Sequence, residues 1–102
     1  MKRPVPFQMA SDNWPGIAKL AEECNEVAQV VMKIIGTGGT MTFFDGQTID
    51  RSRLVEELGD LEAAVTMVMR HSLTGDERIA LYRRRAEKLW LFEHWRETEG
   101  AS

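Results

Sequence analysis

The fold is decided by the stretch WPGIAKLAEECNEVAQVVMKII, which spans residues 14–35. Apolar side chains recur in it at steps of three or four, the period that places them along one side of an α-helix. They are Ile17, Leu20, Cys24, Val27, Val31 and Ile34. Pro15 suits the first turn of such a helix, and Gly36 suits a left-handed residue at its end. We therefore expect an amphipathic helix from about Trp14 to Ile35.

The same period predicts two further helices. The second runs from about Ser52 to Ser72, with Asp50 or Ser52 as its cap. Its apolar stripe consists of Leu54, Leu58, Leu61, Val65 and Val68. The third helix begins at Thr74, because Thr74-x-x-Glu77 has the form of a capping box.

A glycine-rich loop, GTGGTMTFFDGQTI at residues 36–49, separates the first two helices. Its Asp45-Gly46 pair, flanked by Thr and Phe, predicts a small tight hairpin. A loop of this length is either functional or mobile. The expected fold is all-α, a helical-bundle subunit of about three main helices. Three helices are too few to close a four-helix core, so we expect oligomerisation to complete the bundle.

Composition limits the possible classes of function. A chain of 102 residues is expected to form one domain. Its net charge of −3 disfavours nucleic acid as the main partner. The chain has no apolar run long enough for a membrane span, and none follows Lys2 and Arg3 as a signal peptide would require. With a single cysteine there is no internal disulfide, so we expect a cytoplasmic protein.

Paired carboxylates are the strongest chemical signal. Glu23 and Glu26 are three residues apart on the first helix, and Glu57 and Asp60 repeat this spacing on the second, so each pair leaves one side of its helix. Each pair flanks an apolar stripe, and we expect the acids to meet in the groove between two antiparallel helices. Converging carboxylates repel one another unless a cation neutralises them. Oxygen ligands alone suit Mg²⁺, with Mn²⁺ as a substitute.

A solvated acidic face is the alternative interpretation. Glu is a good helix former, and most helical Glu side chains face water. Two equally spaced pairs on adjacent helices favour the metal site. Gly59 favours it further, because a glycine inside a helix costs about 1 kcal/mol and usually marks a close approach. Cys24, within the apolar stripe, is expected to be a small core residue.

The two motifs, KLAEECNE at residues 19–26 and EELGD at residues 56–60, resemble the EExxE…ExxD signature of MazG-like nucleotide pyrophosphohydrolases, the all-α NTP pyrophosphatase superfamily. The resemblance extends over nearly the whole chain, as one MazG-like domain at residues 1–102. The short form, with its Trp-Pro-Gly start and Phe-Phe-Asp-Gly loop, is most similar to bacteriophage members, which act in the host cytoplasm.

The resemblance implies Mg²⁺-dependent hydrolysis of an NTP or dNTP to the monophosphate and pyrophosphate. A purine nucleotide such as dGTP is one possible substrate. The implied metal ligands are Glu23, Glu26, Glu57 and Asp60. Glu22 would be catalytic, holding a further ion or orienting the attacking water. The family also implies a homodimer or homotetramer. The crowded apolar residues Trp90, Leu91, Phe92 and Trp95 point the same way, because three helices of one chain are expected to cover too little of this surface.

Candidate substrate-binding residues complete the predicted site. Arg85 and Lys88 on the third helix, and Lys19 one turn before Glu23, could hold phosphates. For the base, Trp14 and Phe7 are aromatic candidates, as are Phe43 and Phe44 in the loop, although aromatics near a helix start are more often packing anchors.

Two other classes of function stay open. A non-catalytic helical interaction or regulatory module would keep the acids as a solvated face. A nucleic-acid-binding helix built on Arg83, Arg84 and Arg85 would bind in a salt-sensitive way. For Arg83 we favour a solvated face over a phosphate contact.

Overall fold

The computed structural model describes residues 14–100, which form three α-helices. The first helix, α1, spans Ile17–Gly36, α2 spans Arg51–Ser72 and α3 spans Gly75–Gly100. Over this range the β-structure is one antiparallel bridge, between Thr42 and Thr48. The predicted all-α class and the number of helices are confirmed. None of the three helices is long and apolar enough to cross a membrane.

The chain divides into two compact units, one ending at Ser72 and the other beginning at Leu73. The first contains α1 and α2, and the second contains α3. The prediction of a single domain stays a prediction.

Helices α1 and α2 pack antiparallel. Near one end of the pair, the Ser72 hydroxyl donates a hydrogen bond to the Pro15 carbonyl at 3.2 Å. Near the other end, Arg53 of α2 lies 3.8 Å from Glu26 of α1. The buried apolar side chains between them are Val30, Ala64, Val68 and Met69. Two acids, Glu23 and Glu57, are buried in the same face.

The first helix begins at Ile17, later than predicted, because Gly16 adopts a conformation that is not helical. Gly16 precedes Ile17 with φ of +89°, a left-handed conformation that glycine adopts without strain. A Cβ placed on Gly16 would lie 3.2 Å from Met67 Cγ and 3.3 Å from Val68 Cγ2. The start of α1 therefore approaches α2 closely at Gly16. Within residues 14–100 nothing makes the close approach predicted at Gly59, because a Cβ there would meet no atom within 4 Å.

The expected left-handed stop at Gly36 is also wrong. Gly36 is the last helical residue, and Gly38 and Gly39 have the positive φ angles, +65° and +85°. Thr37 ends the helix: its hydroxyl donates to the Ile34 carbonyl at 2.7 Å. The helix runs one residue further than predicted, to Gly36, because Thr37 satisfies a free carbonyl before the glycines reverse the chain.

The prediction that Cys24 is a core residue is wrong, since Cys24 is exposed. The buried positions on α1 are Glu23 and Val30, so the packed face lies about one residue, or roughly 100°, from the predicted stripe. On α2, Glu57 is buried where Leu58 is exposed. Glu23 and Glu57 therefore lie within the packed face and not at its margin.

The local turn chemistry is as predicted. In the loop, Gly46 N–H donates to the Phe43 carbonyl at 2.9 Å and Phe43 N–H donates to Gln47 at 2.7 Å, so Asp45-Gly46 forms the hairpin. Asp50 caps α2 by accepting a hydrogen bond from the Ser52 N–H at 2.9 Å.

The third helix starts with the predicted capping box. Thr74 N–H donates to the Glu77 carboxylate at 2.9 Å, and Glu77 N–H donates to the Thr74 hydroxyl at 3.2 Å. No residue of α3 is buried. Its exposed large apolar side chains are Ile79, Tyr82, Leu89, Trp90, Phe92 and Trp95.

Candidate metal centre

Three carboxylates of α1 and α2 come together. Glu23, Glu57 and Asp60 each offer one carboxylate oxygen, and these oxygens lie within 4.8 Å of one another. We call these residues the acid cluster. The i,i+3 spacing puts Glu57 and Asp60 on one side of α2, and the antiparallel packing brings Glu23 opposite them. The predicted convergence therefore occurs for three of the four acids.

The acid cluster is unusual in its burial. The residues Glu23 and Glu57 are each 6% exposed, whereas Asp60 is exposed. Burying a charged carboxylate is costly unless it is paired or binds a metal. Partial pairing is present, since Lys19 Nζ lies 3.2 Å from Glu23 and an Arg53 guanidinium nitrogen lies 3.1 Å from Glu57. Each buried acid thus pairs with a cation from the preceding turn of its own helix.

The lysine shows the effect of this environment most directly. Hydrogen bonding to Glu23, followed by hydrogen bonding to Glu22, raises the pKa of Lys19 above its ordinary value of 10.5. Lys19 therefore stays charged throughout the physiological range. The contribution to stability from this raised pKa is fully present below about pH 10.5 and is lost as the pH rises through the folded value.

The donor set fits a hard divalent cation. All three donors are carboxylate oxygens, the ligand type that Mg²⁺ and Mn²⁺ prefer. Oxygens on opposite sides of an octahedral Mg²⁺ are separated by about 4.2 Å, twice the usual bond length. The oxygens of the cluster lie within 4.8 Å of one another, so small side-chain rotations would bring them within this separation. Exposed Asp60 is the freest of the three to move.

The other two predicted acids lie beside the cluster. Glu26 is 37% exposed at its side chain and lies 3.8 Å from Arg53. Glu22 is more exposed and forms an ion pair with Lys19 at 3.3 Å. Their predicted roles, as a fourth ligand and as a catalytic residue, stay predictions.

A cleft opens directly over the acid cluster. It measures about 280 Å³ and is lined by Lys19, Glu23 and Asp60 together with Ala63, Ala64 and Met67. We call it the acid cleft. Two carboxylates and an ammonium group share its wall, so it can take a ligand that carries both a cation and negatively charged oxygens.

The remaining predicted substrate residues are placed as follows. Trp14 is half exposed and lines a small cleft with Pro15, His71 and Ser72, and Phe7 lies outside the described residues. Arg85 is exposed on α3, and Lys88 lies 5.8 Å from the centre of the Phe92 ring. Their binding roles stay predictions. The Arg84–Glu87 ion pair, at 3.3 Å, is a solvated helix-surface pair.

Sequence reasoning missed Arg53. The signal was present, since Arg53 precedes Glu57 by four residues just as Lys19 precedes Glu23 by four. Both motifs therefore share a second feature, a cation one helical turn before the buried acid.

Comparison with known proteins adds no relative: no protein-family model, curated protein or solved structure matches this chain.

Proposed function

We propose that this chain is a Mg²⁺-dependent nucleoside triphosphate pyrophosphohydrolase, which cleaves an NTP or dNTP between its α- and β-phosphates. The observation that carries this proposal is the acid cluster, in which Glu23 and Glu57 are buried and converge with Asp60. A purine dNTP such as dGTP is one candidate substrate. The setting in which such substrates occur is the cytoplasm.

The charge balance supports phosphate chemistry. Lys19 and Arg53 already neutralise part of the cluster. A bound Mg²⁺ would neutralise the acids more fully, polarise a phosphoryl oxygen and lower the pKa of a water molecule bound to it. Lys19 and Arg53 would then be free to hold phosphate oxygens, and an arginine's planar fork suits them well. Catalysis of phosphoryl transfer rests largely on such positioning and charge neutralisation.

A proton acceptor is also available. Water attacks the α-phosphorus, the bond to the bridging oxygen breaks, and pyrophosphate leaves. The attacking water must lose a proton, and the Glu22 carboxylate lies beside Lys19 at the solvent edge of the site. Glu22 is therefore our candidate for orienting the water and accepting this proton.

Self-association belongs to the same proposal. The apolar residues that α1 and α2 bury between them are few, and α3 buries none. Exposed large apolar side chains at this density usually mark an interaction surface. A homodimer or homotetramer would cover them and complete the helical bundle.

The reaction can be tested with a matched pair of variants. Pyrophosphate release is measured across the canonical NTPs and dNTPs with Mg²⁺ and Mn²⁺, for the wild type, Glu57→Gln and Glu56→Gln. Glu56 is exposed, neighbours Glu57 and is not in the cluster. We expect Glu57→Gln to lower the rate by at least about a hundredfold and Glu56→Gln to leave it within twofold. Equal rates in the two variants, or no pyrophosphate from any substrate, refute the proposal.

A further inference from the structure

A second cleft lies on the other side of the acid cluster, between α1 and the hairpin loop. It measures about 570 Å³, within the range of small-molecule sites. We call it the loop cleft. Its floor is α1, its outer wall is the hairpin together with the residues that follow it, and its end nearest the cluster is formed by Glu26 and Arg53.

The wall of the loop cleft combines a ring with apolar side chains. Phe43 lines it and is half-buried, whereas its neighbour Phe44 is fully exposed and does not. Val30 and Ile49 add apolar surface. The hairpin positions Phe43 firmly, since its N–H donates to Gln47 and its carbonyl accepts from Gly46. A planar ring held this way is a stacking surface for another planar group.

Polar groups at the same cleft are available to a ligand. The amide side chains of Gln29 and Gln47 make no hydrogen bond within residues 14–100, and Lys33 makes no ion pair there. An amide presents both a donor and an acceptor, which is the pattern that a base edge requires. An unpaired cation at the rim favours an anionic ligand.

The position of the loop cleft also suits a nucleotide. Gln29 lies six residues after Glu23 on α1, so roughly 9 Å along the helix axis. Arg53 lines the cleft and pairs with Glu57 of the acid cluster, so it joins the two sites. Cleavage next to the α-phosphate leaves only a sugar between base and reacting phosphate. The base must therefore bind close to the cluster, and the loop cleft is that close.

We propose that the loop cleft is the nucleobase subsite, in which Phe43 stacks on the base, Gln29 and Gln47 contact its edge, and Arg53 directs the phosphates to the acid cluster. This inference rests on the proposed function and assigns base selection to the glycine-rich loop. Its ligand class is a nucleoside with at least one phosphate.

The test measures binding without turnover, so it does not depend on catalysis. The probes are the α,β-methylene analogues of the four canonical dNTPs, titrated calorimetrically with Mg²⁺, and inorganic tripolyphosphate, which has no base. The variants are Phe43→Ala, Gln29→Ala and the control Phe44→Ala. Phe43→Leu keeps the apolar volume but removes the ring, so it distinguishes the loss of stacking from a collapse of the loop. Melting temperatures show whether each variant is folded.

We expect Phe43→Ala and Phe43→Leu to weaken binding of the preferred analogue by about tenfold or more, and Gln29→Ala to weaken it less. Phe44→Ala should stay within twofold of the wild type, and tripolyphosphate should bind all variants equally. Wild-type binding that Phe43→Leu and Phe43→Ala leave unchanged overturns the inference, as does an equal loss of tripolyphosphate.

The two proposals fail in different ways. Binding that depends on Phe43, with no pyrophosphate released from any dNTP, refutes the reaction and supports the subsite. Pyrophosphate release that is insensitive to Phe43 refutes the subsite and supports the reaction. A wild type that binds no analogue refutes the subsite.

Discussion

The paired helices α1 and α2 differ from α3 in what they do with their side chains. The pair buries two carboxylates in its packed face, at positions where leucine or valine would stabilise the fold more simply. The third helix exposes its tryptophans and buries no residue. The α1–α2 face therefore buries charge that Lys19 and Arg53 balance only in part, whereas α3 leaves its large apolar side chains exposed.

The largest effect should come from filling the acid cluster. Mn²⁺ at a hundred times its dissociation constant should stabilise the wild type by about 2.7 kcal/mol, because the ion binds only where the cluster is assembled. Thermal melts with and without Mn²⁺ measure this. Glu57→Gln should lose most of the shift, and Glu56→Gln should keep it. A wild-type melting temperature that does not change when Mn²⁺ is added would instead support the non-catalytic interaction or regulatory module.

A somewhat smaller effect is expected on α3. Trp90→Ala and Trp95→Ala should each weaken self-association by about 2 kcal/mol, or roughly thirtyfold, because a buried aromatic often dominates an interface. Sedimentation velocity across a concentration series measures this, with exposed Glu97→Ala as the control on the same helix. A wild type that sediments as an 11.6 kDa monomer at micromolar concentration contradicts the assembly.

Much of the architecture was predictable from the sequence. The spacing of apolar residues and the capping residues predicted the three helices, the Asp45-Gly46 turn and the Thr74–Glu77 capping box. These features were predictable because they depend on interactions between residues close together in the sequence. The spacing of the acids also predicted that Glu23, Glu57 and Asp60 would meet.

Other features depend on tertiary structure and could not be predicted locally. The packed face was misplaced because hydrophobicity alone cannot assign a buried position to Glu23 while Cys24 is exposed. The close approach at Gly16 requires α2 to be in place. The loop cleft likewise exists only once the hairpin folds back beside α1.

Two glycines test the packing of α1 on α2 at a scale of about 1 kcal/mol. Gly59→Ala should stabilise the protein by about 1 kcal/mol, since alanine favours a helix and its Cβ meets nothing. Gly16→Ala should destabilise it, because φ is +89° and the added Cβ would lie 3.2 Å from Met67 Cγ. Urea unfolding of both variants gives the sign of each change in the free energy of unfolding. A destabilising Gly59→Ala would indicate that a ligand or second subunit approaches there.

The smallest effect concerns the cap of α2. The hydrogen bond from Ser52 N–H lowers the pKa of Asp50 below its ordinary value of 3.8. A lowered folded pKa contributes stability above the unfolded value, which is lost as the pH falls through the folded value. Between pH 5 and about pH 2, Asp50→Asn should therefore lose slightly less stability than the wild type. Identical slopes in acid unfolding would show that this cap does not titrate with folding.

The most direct test of the central claim is the identity of the phosphorus products. The wild type is incubated with each dNTP and Mg²⁺, and the mixture is followed by ³¹P NMR. We expect at least one dNTP to give equal amounts of monophosphate and pyrophosphate, and Glu57→Gln to form both at least about a hundredfold more slowly. Release of orthophosphate and a diphosphate, or no change in any dNTP, would contradict the central claim.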